Sequence, residues 1–165
     1  MIAIIDYDAG NIRSVEKALL ALGQDVTVTA DRDEILHADK VILPGVGAFG
    51  DAMKKLKQSG LDEVIREVTE KGTPFLGICL GLQLLFEHSD EAPGVEGLGI
   101  LKGEILRIPD KEGYKIPHMG WNSLHLENDG RLFKGIAENS YVYFVHSYYL
   151  KAEEEQIVKA STEYT

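Results

Sequence analysis

The sequence predicts an α/β protein: a doubly wound, mostly parallel sheet, followed by a strand-rich C-terminal half. Three observations carry this reading. Apolar runs of strand length alternate with segments of helical periodicity over residues 2–89. Those runs are apolar throughout, as strands covered on both faces require. Beyond them the helical period fades, and Gly- and Pro-containing turns separate strand-like stretches.

The elements follow in order. "IAIID" (2–6) is a short buried strand. "NIRSVEKALLALG" places Ile12, Val15, Leu19 and Leu22 at helical spacing, with Gly23 as a stop signal. "DVTVTA" alternates as a strand does, and "KVILPG" is a second buried run closed by Pro and Gly. Residues 51–72 give one or two helices, with Met53 and Leu56 and then Leu61, Val64, Ile65 and Val68 facing inward. "TPFLGIC" is a strand running into Cys79, and "LGLQLLFEHS" reads as the helix after it. "GEILRIPD", "WNSLHLE", "SYVYFVHSYYL" and "QIVKAST" are the strands of the second half. A chain of 165 residues is expected to form one domain.

A hydrophobic content of 44% fits a packed globule. The single cysteine makes no intramolecular disulfide and suits a reducing, cytoplasmic setting. No run is long enough to cross a membrane, and "MIAIIDYDAG" lacks the basic start of a signal peptide. A formal net charge of −10 argues against a nucleic-acid backbone as partner.

Cys79 carries the chemistry. Gly77-Ile78-Cys79-Leu80-Gly81 sits between a strand and a helix, the pattern of a nucleophile elbow with Cys in place of Ser. Such a turn is so tight that side chains two residues either side of the nucleophile collide, which explains both glycines. The turn pushes the sulfur out at the carboxyl end of the sheet, where open α/β sheets bind ligands. A helix N-terminus there favours an anion. The Leu80 amide points at an oxyanion formed on attack. The alternative is a small hydrophobe in a core with two chance glycines. Gln83, four residues on, shares the face of Cys79 one helical turn along and is out of place among leucines unless it meets something polar.

"GVGAFG" (45–50) matches a dinucleotide-binding G-x-G-x-x-G. It follows the third strand rather than the first, and the acidic residue wanted about twenty positions later falls in a helical stretch. A better use is a concave array of amides that supplies a second oxyanion donor beside Cys79.

Together, "DYDAGN", "PGVGAFGDAM", "GICLGLQLLFEHSDEAPGVEGLGI", "PHMGWN" and "YFVHSYY" resemble, in this order, the glutaminase subunits of imidazole glycerol phosphate synthase. These are triad-type (class I) glutamine amidotransferases with a flavodoxin-like sheet. The resemblance covers nearly the whole chain. It implies that Cys79 attacks the side-chain carbonyl of L-glutamine, releasing ammonia through a γ-glutamyl thioester. It implies an oxyanion hole from Val46, Gly47 and Leu80, with a turn of the Val46 peptide completing it. Gly47, Gln83 and the backbone of Ser147 and Tyr148 then hold glutamine. Asn11, Met119, Trp121, Asn122 and Tyr143 face a partner cyclase, a (β/α)₈ barrel, in a heterodimer. Ammonia crosses that barrel to make imidazole glycerol phosphate and aminoimidazole carboxamide ribotide, in histidine biosynthesis. No metal and no cofactor is implied. The competing reading of Trp121 and of Tyr141, Tyr143, Tyr148 and Tyr149 is ordinary core.

A triad also needs a His beside the sulfur and a carboxylate behind it. The family takes both from a Phe-His-Pro-Glu-type segment that residues 1–165 do not contain. His37 falls at the amino ends of the strands. His88, read on the helix of Cys79, is about 13 Å along it. His125 lies within a strand, and no x-Glu orienter follows His118 or His146. The expectation is a single glutaminase domain, truncated at its C-terminus, with the triad His and Glu beyond Thr165 and residues 1–165 alone inactive. Two readings compete: a DJ-1/PfpI-like cysteine-elbow protein, which places His directly after Cys where this chain has Leu80, and a non-catalytic subunit if the chain truly ends at Thr165.

Overall fold

The computed structural model describes residues 1–8, 10–127 and 130–165; Ala9, within the DYDAGN stretch, lies outside the described residues. They divide into two compact units, Met1–Leu101 and Lys102–Thr165.

The first unit runs β1 (Ile2–Ile5), α1 (Ile12–Ala21), β2 (Val26–Thr29), α2 (Arg32–Leu36), β3 (Lys40–Leu43), α3 (Phe49–Ser59), α4 (Leu61–Glu70), β4 (Phe75–Gly77), α5 (Leu80–Gln83) and β5 (His88–Ser89). Strands β2-β1-β3-β4 form a parallel sheet in that order. Its apolar runs serve both faces. Ile2, Ile4 and Ile42 meet Ile12, Val15 and Leu19 of α1. Ala3, Ile5, Val41 and Leu43 join the cluster of Phe49, Met53 and Leu56 from α3 and Val64, Ile65 and Val68 from α4. Side chains alternate across a strand, so a strand with helices on both sides must be apolar at every position. The doubly wound expectation holds.

Three local outcomes need physical reasons. Residues 49–70 form two helices, because Gly60 sits at φ 70° and turns the chain between them. Helix α2 was not anticipated. Its five residues are nucleated by Asp31, whose Oδ1 accepts the Glu34 amide at 2.9 Å, a capping signal too local to show as periodicity. The helix expected over "LGLQLLFEHS" ends at Gln83. The carbonyls of Leu84, Leu85, Phe86 and Glu87 accept amides of Leu98, Leu101, Gly99 and Gly97 instead of continuing the helical ladder. Gly97 permits this approach, since a Cβ there would stand 2.1 Å from the Phe86 carbonyl oxygen. His88 therefore lies on β5 and not on the helix of Cys79.

The second unit holds β6 (Gly103–Arg107), β7 (His118–Ser123), β8 (His125–Leu126), β9 (Tyr141–His146), β10 (Tyr148–Ala152) and β11 (Ala160–Ser161). All pairings within it are antiparallel: β7 with β9, β6 with β10, β8 with β11. The expected strand "SYVYFVHSYYL" breaks at Ser147, where the chain leaves β7 for β6 as its partner. Strand β7 starts at His118, earlier than the "WNSLHLE" run suggested.

His118 is buried in this unit, its ring stacked on Phe144 and on Tyr164. Burial, and secondarily the neighbouring His146, lowers its pKa below the ordinary 6.5. The unfolded chain then binds the extra proton first, so stability is present above that value and falls as pH drops through it. Thermal unfolding midpoints measured at about pH 7.5 and about pH 5.5 should fall further for the wild type than for His118→Asn. Equal slopes would contradict a neutral buried ring.

Candidate active site

The parallel sheet sends the loops after β1, β3 and β4 to one edge. Cys79 follows β4 and opens α5 with φ 53° and ψ −116°, an unusual conformation for a residue with a side chain, and its side chain is exposed. Such backbone strain costs about 1–3 kcal/mol and persists only where the surroundings impose it. Here they do. A Cβ on Gly81 would lie 1.9 Å from the Leu43 carbonyl oxygen, and one on Gly77 would lie 2.7 Å from Leu82 backbone. Both glycines are sterically required, as the elbow reading demanded.

The amides of the turn are nearly all used. Gly81 N–H donates to the Ile78 carbonyl at 2.9 Å, and Leu82 and Gln83 N–H donate to the Cys79 carbonyl at 3.0 and 3.2 Å. The Leu80 amide, next to the sulfur-bearing residue, has no acceptor among the described residues. The Gln83–Cys79 bond puts Gln83 one turn from Cys79, and the half-buried Gln83 side chain has no hydrogen bond among the described residues. With α5 reduced to four residues, local amides rather than a long helix dipole are the electrostatic resource at Cys79.

The loop after β3 is packed onto the elbow. A Cβ on Gly45 would meet the Gly81 nitrogen at 3.0 Å and Leu80 Cβ at 3.1 Å. Gly47 sits at φ +102° with open space where a side chain would point. Val46 is half exposed, and a Cβ on Gly10 would stand 2.8 Å from its Cγ2. The β1–α1 loop, with exposed Asn11 at φ 69°, therefore abuts the oxyanion-loop candidate. Residues 61–70 form α4, so no strand-ending acid serves a nucleotide after "GVGAFG".

Two residues of this neighbourhood have only faint sequence cues. Tyr7 is buried and donates its hydroxyl to the Pro44 carbonyl at 2.9 Å, pinning the start of the glycine loop. Burial, and then the nearby Cys79, pushes its pKa up to about 12, so the hydroxyl stays a donor. Glu91 accepts the Phe49 amide at 2.8 Å and so caps α3, the helix that follows the loop. A polar residue ending the apolar strand run, and an acid in "HSDEAP", were the only cues.

In the second unit, Ser147 accepts the Ile108 amide at 2.9 Å, and the Tyr148 carbonyl accepts from His146 Nδ1 at 2.8 Å. Met119, Trp121, Tyr143 and Val145 occupy one face of the β7–β9 pair, each more than half exposed. Trp121 meets Tyr143 edge-to-face at 5.7 Å between ring centres. The core reading of Trp121 and Tyr143 fails in this structure, and Tyr141 is exposed as well. Asn122 turns the other way, with Nδ2 donating to the Glu163 carbonyl at 2.8 Å. Among the histidines, His37 contacts the Asp33 carbonyl, His125 pairs with Glu138, and His118 pairs with His146. No group of His, Cys, Asp and Glu suited to a metal occurs among the described residues, and no helix there is long and apolar enough to cross a membrane.

A strained cysteine elbow beside a glycine loop on a parallel sheet is the arrangement of a thiol-dependent amidotransferase. The family model described as glutamine amidotransferase class-I matches residues 3–165, and the chain belongs to that family. Within it, imidazole glycerol phosphate synthase subunit HisH of Moorella thermoacetica is 56% identical over 163 residues, covering 99% of this chain and 77% of that one. Subunit HisH 1 of Methanococcus maripaludis is 51% identical over 168 residues, covering 99% and 81%. A solved glutamine amidotransferase structure superposes with a TM-score of 0.74 at 20% identity, over 97% of this chain and 79% of that one, a likeness of fold.

Gly81→Ala should cost about 3 kcal/mol of stability, since backbone must move to admit the methyl group. Tyr7→Phe should cost about 1–2 kcal/mol by leaving the Pro44 carbonyl unpaired. Urea unfolding of both variants reads these values. A neutral Gly81→Ala would mean the elbow is not closed as described.

Proposed function

We propose that this chain is the glutaminase subunit of imidazole glycerol phosphate synthase, hydrolysing L-glutamine and delivering ammonia to a partner cyclase in histidine biosynthesis. The observation that carries the chemistry is Cys79, held strained and exposed at the sheet edge beside an amide with no acceptor among the described residues. Identity above 50% to HisH subunits along nearly the whole chain supports the assignment of substrate and pathway.

The chemistry follows from the geometry. The Cys79 sulfur, once deprotonated, adds to the side-chain carbonyl carbon of glutamine. The oxygen that gains the electron pair is met by the Leu80 N–H, and by a loop amide at Val46–Gly47 after the peptide turns. Gly47 has the conformational freedom for that turn, and the space beside it is open. The C–N bond then breaks, and the leaving nitrogen takes a proton and departs as ammonia. Water attacks the thioester, expelling the thiolate and forming glutamate. Gln83 and the loop at Gly47 hold the amino acid. None of the five histidines of residues 1–165 is proposed as the base.

The partner is a (β/α)₈-barrel cyclase in a heterodimer, and ammonia travels through it to the lyase reaction that yields the two products. Localisation is cytoplasmic. The exposed aromatic face of β7 and β9, with Met119, Trp121 and Tyr143, is the docking surface; Asn11 of the first unit is a separate cyclase contact. Large exposed aromatics are typical interface anchors. The abutment of Gly10 on Val46 supports communication from an Asn11 contact to the oxyanion loop.

Cys79→Ala should abolish glutamine-dependent product formation by the complex and leave ammonia-dependent formation intact. Loss of both would make Cys79 structural. Trp121→Ala should weaken cyclase binding about tenfold or more, read by titration calorimetry, with an unfolding midpoint near that of wild type. Unfolding of the variant would return Trp121 to a core role.

A further inference from the structure

Tyr7 enters the chemistry above only as a support for Pro44, and its surroundings give it more to do. The ring is buried in the cluster that holds Leu43, Phe49, Leu80 and Leu84. Its backbone is tied on both sides. The Asp6 amide donates to the Thr29 carbonyl at 2.9 Å. Lys55 Nζ donates to the Asp8 carbonyl at 2.6 Å and to Asp8 Oδ2 at 2.8 Å. The hydroxyl is therefore a fixed post. It has one proton to give, and the Pro44 carbonyl takes it at 2.9 Å.

That bond orients a whole peptide. The Pro44–Gly45 unit is planar, and its N–H points opposite to its C=O. Its oxygen is held by Tyr7. Its carbonyl carbon lies 3.2 Å from where a Cβ on Gly81 would stand. Its far end, Gly45 Cα, is hemmed in as well: a Cβ there would lie 2.6 Å from the Tyr7 hydroxyl oxygen and 3.0 Å from the Gly81 nitrogen. A plane held at its oxygen, its carbon and its following Cα has no rotation left. From it runs a series of open donors. The amides of Gly45, Val46, Gly47 and Ala48 have no acceptor among the described residues. Successive amides of this kind make an anion-binding concavity, and this one lies beside the residue that bears the sulfur. The loop leaves the held plane at Gly45, so the aim of the series depends on that plane.

We propose that Tyr7 is a positioning residue for the transition state: by holding the Pro44–Gly45 peptide, it aims the loop amides at the oxygen that becomes negative when Cys79 adds to glutamine. This rests on the glutaminase reading, with Cys79 as nucleophile. Tyr7 acts through the backbone and transfers no proton. Burial, and then Cys79, pushes its pKa up to about 12, so the donor is present at any working pH. Donors aimed at developing charge act on the transition state more than on bound substrate, so kcat carries the effect and KM does not.

The test uses the full-length protein in complex with its cyclase. Tyr7→Phe should lower kcat for glutamate release about tenfold or more, with KM within about threefold of wild type. The loss should be the same at about pH 6.5 and about pH 8.5, because no group that titrates there has been removed. Alkylation of Cys79 by iodoacetamide, a displacement that forms no oxyanion, should keep its rate within about twofold, read on the Cys79 peptide by mass spectrometry. A wild-type kcat, a KM rise without a kcat loss, or alkylation slowed in step with kcat would overturn the proposal. Gly45→Ala supplies a second reading, since its methyl group would displace the Tyr7 oxygen. It should lower kcat by a larger factor in the wild type than in the Tyr7→Phe background, where no oxygen is left to displace. Equal factors in the two backgrounds would overturn the proposal even if a variant folds less well. A wild-type complex that releases no glutamate would instead overturn the glutaminase reading, and this proposal with it.

Discussion

The close approach of Gly81 to the Leu43 carbonyl is the constraint on which the rest of the site depends. It lets α5 start directly behind β3, and so forces the turn at Cys79 into a conformation that side chains rarely adopt. The same contact brings Gly45 against Leu80 and so places the glycine loop beside the sulfur. A parallel sheet with both faces covered supplies the rigidity that holds this strain. Core packing is thus converted into an exposed thiol with an open amide next to it.

Around this contact the molecule fixes its loops with single polar bonds from distant segments. The Tyr7 hydroxyl holds the Pro44 carbonyl from just past β1, and the Glu91 carboxylate holds the Phe49 amide from beyond β5. Each satisfies a backbone group that a tight loop leaves unpaired. Gly47 is the exception, with a left-handed backbone and empty space at its side. A loop pinned at both ends and free at its centre fits the proposed turn of the Val46 peptide.

What the sequence disclosed is what local sterics and periodicity encode. The paired glycines around Cys79 announced the elbow, and the all-apolar runs announced a sheet covered on both faces. Gln83 stood out as a polar residue in a leucine run and lies one turn from Cys79. What stayed hidden is non-local. The helix after Cys79 stops at Gln83 because amides from residues 97–101 claim its carbonyls, which no window around Leu84 reveals. Likewise the strand break at Ser147 arises from a change of partner strand, and Tyr7 reads as one more residue after a buried strand. The exposure of Trp121 and Tyr143 is invisible to composition, since aromatics are as suited to a core as to an interface.

The central claim is that the strained Cys79 sulfur is the atom that attacks glutamine. An electrophilic glutamine analogue, offered to the complex with its cyclase and followed by peptide mass spectrometry, tests it directly. The account predicts one covalent adduct, on the peptide bearing Cys79, formed in proportion to the loss of glutamate release and prevented by excess glutamine. Inactivation with Cys79 unmodified, or labelling that glutamine does not prevent, would contradict it.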